Sequence, residues 1–527
     1  MTEEARAAEA AALVEQLVTD QVASKLAAGD ATLWGPDAES EASIRLAWTT
    51  LHETSRPLRG EIEALRSELH GEGVDRVVLA GMGGSSLAPE VITNTAGVPL
   101  VVLDTTDPGQ VADALEGDLS RTVIVVSSKS GSTVETDSHR RIFEKAFTDS
   151  GIDAASRIVV VTDPGSPLEA TSKEAGYRRV FPADPHVGGR YSALTAFGLV
   201  PAGLAGADIG ALLDSAAGIA PKLASDSPDN PAIQLAAALG AAHAHGAEKV
   251  VFADTGSGVK GFGDWVEQLI AESTGKNGTG LLPVVVENPE APGFADAGSD
   301  ATPVAIGPAV GGGLSAEGGL GELMLLWEFA TAFVGRILGI DPFDQPDVEA
   351  AKKAARSLLD APKSEPAEPT FVDGPVEVHA PEGLAVGDTL ADALRAFFGA
   401  VPDFGYIAVQ AYLDRLADAS ATVLRPEITR ITGKQTTFGW GPRFLHSTGQ
   451  YHKGGHQNGA FLQLTGSVEA DLPVPDRPYT LGTLQLAQAL GDGQVLAEHG
   501  RPVLRLHLTD RAAGLAHLVK ALQEVGR

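Results

Sequence analysis

Apolar positions follow two different rhythms along this chain. In residues 1–70, Leu13, Leu17 and Val18, then Leu51, Leu58, Ile62 and Leu65, recur at helical spacing in an Ala/Glu-rich background, which predicts a helical segment. From about residue 75 the pattern becomes short apolar runs, each ending in Gly, Ser or Asp: Val77–Ala80, Leu100–Leu103, Val123–Val126 and Ile158–Val161. These predict buried strands, with helices between them near 88–95, 109–116, 134–148 and 167–175. Strand, turn and helix repeated in this way predict a parallel, doubly wound α/β unit. Residues 191–246 are Ala-rich and predict helices, with starts near Asp208 and after Pro231.

A second strand–helix run follows: a strand at Lys249–Phe252, a helix at 263–274, a strand at Leu281–Val286, a long apolar helix from about 320 to 338 and a further helix over roughly 346–360. Residues 288–319 are rich in Gly, Pro and Ala with little periodicity and predict a loop insertion. Residues 361–375 have the composition of a linker. The third block, 376–527, predicts strands at Tyr406–Tyr412 and Val503–His507, helices near 389–399, 482–490 and 511–523, and a His/Gly-rich loop at 446–459. The predicted division is therefore 1–70, 71–207, 208–360, a linker at 361–375, and a C-terminal α/β region at 376–527.

Charge narrows the choice of partner. With 39 Lys and Arg against 69 Asp and Glu, the formal net charge is −30. Such a field repels nucleic-acid backbones and anionic lipid, leaving small ligands whose pocket gathers its own cations. The absence of cysteine removes disulfides, thiolate metal sites and a thiol nucleophile. The first residues are acidic and lack a signal peptide's basic n-region, and no apolar run is long enough to span a bilayer, so a cytoplasmic location is expected.

Two turns carry candidate chemistry. Gly81-Met-Gly-Gly-Ser-Ser86 and Ser127-Ser-Lys-Ser-Gly-Ser-Thr133 each follow a predicted strand and open a predicted helix. A parallel sheet puts both at the carboxyl ends of its strands, where open α/β sheets bind ligands. Backbone N–H groups around Gly84, the hydroxyls of Ser85, Ser128, Ser130 and Thr133, and the ammonium of Lys129 suit a phosphate. The first turn lacks the G-x-G-x-x-G spacing of a dinucleotide site, and Thr274-Gly-Lys-Asn277 lacks that of a Walker A loop. Arg190 lies in a glycine turn, Glu272 near the end of an apolar helix, and Gln345 and Lys352 seven residues apart, a spacing that puts them on one helical face. Taken singly, Arg190 also fits a surface ion pair and Glu272 a solvated helix end.

Together, GMGGSSLAPE, SSKSGSTVET, GGRYS, QLIAESTGK and DPFDQPDVEAAK resemble, in order, the motifs of the glucose-6-phosphate isomerase family, built from two sugar-isomerase (SIS) domains. The resemblance covers roughly residues 75–360 and implies two doubly wound, three-layer αβα domains. It also implies a sugar phosphate held by Ser85, Ser128, Lys129, Ser130 and Thr133, with Glu272 as the proton-shuttling base and Arg190 beside the enediolate. Gln345 and Lys352 take the positions of the family's glutamine and lysine. No metal or redox cofactor is required, and members are commonly homodimers that share a ring-opening histidine across subunits.

Here the chain departs from the family. The family's histidine falls between the base and the F-D-Q motif, yet this chain has no His between His245 and His379. The third block offers L-H-S-T-G-Q-Y-H-K-G-G-H instead, and we expect His452, with His446 second, to supply the imidazole in cis or from a partner. The spacing of His446, His452 and His456, without a nearby acid or cysteine, makes a poor zinc site. A dual phosphoglucose/phosphomannose isomerase and a non-catalytic sugar-phosphate-binding SIS protein are the alternatives.

Overall fold

The computed structural model describes residues 3–360, 368–381 and 383–527. Three separate sheets organise them. The first contains β1 (Arg76–Gly81), β2 (Val101–Leu103), β3 (Thr122–Ser127), β4 (Ile158–Thr162) and β5 (Arg179–Pro182), all parallel, in the order β2-β1-β3-β4-β5. Helices on both faces leave β3 and β4 buried along their whole length, which is why their sequences read as unbroken apolar runs.

The second sheet contains β6 (Lys249–Asp254), β7 (Leu282–Val285), β8 (Ala301–Ile306) and β9 (Leu314–Ala316), again all parallel, in the order β7-β6-β8-β9. The region 288–319 is thus not simply a loop insertion: it supplies half of this sheet. The strand was hidden because A-T-P-V-A-I carries few large apolar residues. Pro303, which cannot donate a ladder hydrogen bond, precedes the stretch of β8 that is paired on both sides.

The third sheet is built from β10 (Phe371–Asp373), β11 (Val376–His379), β12 (Tyr406–Tyr412), β13 (Gln435–Trp440), β14 (Gly459–Gly466) and β15 (Val503–Leu508). β12 to β15 run parallel in the order β13-β12-β14-β15, and the antiparallel hairpin β10-β11 extends the edge beyond β15. The expected linker therefore ends in a strand, while its residues 361–367 lie outside the described residues. In place of a His/Gly loop at 446–459 the chain forms a short helix, Gly449–Gly454, and then enters β14.

All three parallel cores share one winding: the first strand lies between the second and the third, with the fourth outside the third. Each chain path therefore reverses direction between its first and third strands, the place where a crevice opens at the carboxyl ends.

The N-terminal helices join the largest apolar core. Trp34, Trp48, Ile62 and Leu65 pack there with the helices Ala196–Ala205 and Leu320–Leu338, and the Trp34 indole donates to the Ala332 carbonyl at 2.9 Å. A smaller apolar layer, including Val251, Val284, Tyr406 and Phe461, joins the second sheet to the third. No helix of the described residues is long and apolar enough to cross a membrane.

Candidate active site

The register of the first sheet fixes the site. Gly81 at the end of β1 pairs with Ser127 at the end of β3, so both candidate loops leave the sheet at one level on either side of the reversal point. Gly83 has φ +55°, and a side chain there would strike the Gln268 amide and the His446 carbonyl. At Gly84 a Cβ would lie 1.9 Å from the Gly189 carbonyl oxygen. These bare positions let the first loop press against the turn that carries Arg190.

A cleft of about 560 Å³ opens beside these loops. Among its walls are Gly84, Ser85, Ser128, Lys129, Ser130, Thr133, Arg190, Glu272, Gln345, Lys352 and His446, every sequence-expected site residue except His452. Ser128 Oγ accepts from the Gly131 N–H at 3.1 Å and donates to Thr133 Oγ1 at 3.2 Å, while Ser130 and Ser132 share a hydrogen bond of 2.7 Å. This hydroxyl cluster sits at the start of the sixteen-residue helix Val134–Asp149, whose free N–H groups add to the pull on an anion. Lys129 is not a lone cation: its ammonium lies 2.6 Å from Asp163, whose own carboxyl is pushed up by burial against the pull of Lys129.

Arg190 is 2% exposed and almost fully committed. Its guanidinium donates to the Ser273 hydroxyl at 2.9 Å, the Pro342 and Asp344 carbonyls at 2.7 and 2.9 Å and Gln345 Oε1 at 2.9 Å, which leaves Nη1 3.5 Å from Glu272. Lys276 holds the same loop from below, with Nζ 2.6 Å from the Asp341 carbonyl and 2.5 Å from the Asp344 carboxylate. Gln345 belongs to the turn before the helix Val348–Asp360 and does not share a helical face with Lys352. Pro346 disfavours a helical conformation at the residue before it, so the helix starts two residues beyond the proline. Lys352 stands on the cleft rim, half exposed and 2.8 Å from Glu349.

Glu272 occupies the last turn of the helix Phe262–Thr274 and is 9% exposed. Burial raises its carboxyl above the usual range, opposed by Arg190 first and then by His446. Its place among the helix's C-terminal carbonyls also disfavours the charged form. The Gln268 amide, one turn earlier, reaches Glu272 at 3.4 Å and the backbone carbonyl of His446 at 2.9 Å, tying the carboxylate to the histidine segment.

The two candidate histidines are far from equivalent. His446, in the turn after β13, lines the cleft and places Nε2 3.1 Å from Glu135 in the first turn of the helix Val134–Asp149. His452 is 2% exposed and sits among Tyr406, Phe444 and Phe461, with ring centroids 5.1 to 6.1 Å away. Burial, then Lys453 and Arg501, drives its pKa well below the usual value, and it does not line the cleft. The expected order of the two residues is therefore reversed in space: the helix Gly449–Gly454 turns His452 into the interior.

Glu135 is the member that sequence reasoning missed. Burial alone would raise its carboxyl, but His446 beside it and the hydrogen bond between them hold it down to about 2. In sequence, an acid in the first turn of a helix reads as an ordinary complement to the helix dipole. Only the fold brings it to a histidine 311 residues away.

Comparison with known proteins supplies the chain's relatives. The sequence matches the phosphoglucose isomerase family over residues 50–301. A probable glucose-6-phosphate isomerase of Haloarcula marismortui is 31% identical over 372 residues, spanning 60% of this chain and 83% of that protein. A glucose-6-phosphate isomerase of Citrifermentans bemidjiense is 34% identical over 245 residues, spanning 43% of this chain and 46% of its own length. Among solved structures, a hypothetical protein of Thermus thermophilus superposes with a TM-score of 0.56 at 26% identity, covering 68% of this chain and 97% of that one. With its ordered motifs converging on one cleft and the Haloarcula relative matched over 83% of its length at 31% identity, the chain belongs to the glucose-6-phosphate isomerase family.

Proposed function

We propose that this isomerase interconverts glucose 6-phosphate and fructose 6-phosphate through a cis-enediolate. The observation that carries the reading is Glu272: a buried carboxyl with a raised pKa, 3.5 Å from the Arg190 guanidinium, on a cleft whose floor is a hydroxyl-lined loop at a helix start. The loop of Ser128, Ser130 and Thr133 takes the phosphate, with Ser85 and Lys129 beside it. This anchors the far end of the sugar and turns proton transfer into an intramolecular event. Glu272 removes the proton from C2 and returns it to C1, and its raised pKa brings it closer to the carbon acid it must deprotonate. Negative charge grows on the O1–O2 side as the enediolate forms. Arg190, already fixed by four neighbours, meets that charge without reorganising.

The substrate enters as a closed ring. His446, paired with Glu135, is placed to move the proton between ring oxygen and anomeric hydroxyl, and Lys352 flanks it on the rim. The carboxylate base and the imidazole share the Gln268 brace, so ring opening and proton abstraction operate on one bound sugar. Every one of these groups comes from a single chain.

Glu272→Gln tests the reading. Isomerisation in a coupled assay and solvent hydrogen exchange at C2 should both fall about 10²- to 10⁴-fold, with binding of the 6-phosphate largely kept. Exchange at the full rate removes Glu272 as the base. Mannose 6-phosphate in the same assay separates a dual phosphoglucose/phosphomannose enzyme from one confined to the glucose–fructose pair.

A further inference from the structure

We propose that Gln488, on the third unit's helix Leu481–Glu498, is a positioning residue that locks the Glu135 carboxylate and so fixes which nitrogen of His446 faces the sugar. The proposal rests on the role given above to His446 and goes beyond it by naming what holds that histidine in one tautomer. Gln488 is 4% exposed and touches the pair from behind. Its amide Nε2 donates to Glu135 Oε1 at 2.7 Å, the same oxygen that faces His446 Nε2. Its Oε1 accepts from the hydroxyl of Thr106 at 2.8 Å, and Thr106 is itself fully buried in the turn after β2.

The chain Thr106–Gln488–Glu135–His446 runs in one direction only. An ionised carboxylate accepts and cannot donate, so the amide must present its NH₂ group to Glu135 and its carbonyl to Thr106. A flipped amide would set two oxygens against each other in a buried site. With Glu135 ionised and satisfied by Gln488, the remaining demand on Oε1 is a proton from His446 Nε2. In the neutral imidazole the Nε2–H tautomer results, and Nδ1 is left as the atom free to take a proton on the cleft side. Remove the amide and Glu135 keeps one side-chain donor in place of two, freer to rotate or to protonate, so the imidazole loses its fixed tautomer. The other ionisable groups around the amide are Lys352, Glu349, Arg356, Lys453 and His446 along the cavity it lines, Asp492 paired with Lys453 at 2.5 Å on its own helix, and His139 and Asp104 near Glu135.

Gln488 lies well beyond residues 50–301, so the third unit supplies both the histidine and the brace for its acid partner. No motif in the sequence marks this helix, and Gln488 alternates there with residues of ordinary helical character.

Three variants test the proposal on the whole chain: Gln488→Leu, Gln488→Glu and, as reference, His446→Asn. Thermal melts first establish that each is folded; Gln488→Glu, nearly isosteric, carries the test if the leucine variant does not fold. In wild type, ¹⁵N shifts of the His446 ring should report a single Nε2–H tautomer, and Gln488→Leu should give a mixture. Its kcat on glucose 6-phosphate should fall about 10- to 100-fold, the rate equivalent of one hydrogen bond to a charged group, with KM within about threefold. Gln488→Glu can donate to Glu135 only while protonated, so its kcat relative to wild type should decline as pH rises. A merely structural glutamine would not produce that slope. Wild-type kcat, tautomer and pH profile in both Gln488 variants, with His446→Asn inactive, overturn the proposal and leave the role of His446 standing. Wild-type kcat in His446→Asn overturns that role and this proposal with it.

Discussion

Replacing His446 with alanine isolates one chemical step. The imidazole stands at the cleft wall with its Nε2 committed to Glu135, so on the proposed mechanism the substitution removes the acid/base for ring opening while leaving Glu272, Arg190 and the hydroxyl-lined loop in place. General acid–base catalysis contributes about 10²- to 10⁴-fold, and that is the expected loss in kcat on closed-ring glucose 6-phosphate. A sharper signature comes from varying the enzyme concentration. An enzyme that cannot open the ring consumes only the open-chain sugar that forms spontaneously, so its velocity should level off as enzyme is added, whereas wild-type velocity stays proportional. KM should change little, since the phosphate contacts persist. The matched control is His452→Ala. His452 fills space between Tyr406, Phe444 and Phe461, so its truncation leaves a cavity costing about 2–4 kcal/mol of stability. Its kinetics should remain proportional to the folded enzyme present. Proportional velocity and a kcat within about threefold of wild type for His446→Ala, together with a plateau for His452→Ala, would refute the assignment and transfer the role to the buried ring.

Two further outcomes follow from the same geometry. Because burial raises the Glu272 carboxyl and Arg190 only partly offsets it, the acid limb of kcat/KM should lie above the ordinary glutamate value of about 4.3. Activity is then lost as pH falls through the raised pKa, and a limb at or below the ordinary value contradicts the buried base. In Gly84→Ala, the new methyl would sit 1.9 Å from the Gly189 carbonyl oxygen, so the two loops must part by about 1 Å. A displacement of that size beside the reacting groups should cost about 10²-fold in kcat/KM, and near-wild-type kinetics would show that the contact is slack.

The first sheet and its two loops were legible because their strands are buried on both faces and end in glycine and serine, a texture with few other meanings. Glu272 and Arg190 were legible through their motifs, and the packing of the helix Phe262–Thr274 against the Arg190 turn is what brings them together. Other features left no trace in one dimension. β8 (A-T-P-V-A-I) and β9 (L-S-A) break their few large apolar residues with Ala, Thr, Pro and Ser inside a Gly-rich stretch, whose composition predicts a loop. His446 and His452 are six residues apart, and both lie near glycines. What separates them is a helix of six residues that turns the second inward and a carboxylate brought from the first unit's helix Val134–Asp149. Glu135 and Gln488 look like routine helix residues until the units are docked.

In the proposed mechanism the three units divide the labour unevenly: anion anchoring falls to the first, the carboxylate that handles hydrogen to the second, and the imidazole with its brace to the third. No unit holds a working set. Turnover then depends on the alignment of all three units, and mild denaturant or heat that loosens their mutual seating should silence the protein while its far-ultraviolet circular dichroism still looks native.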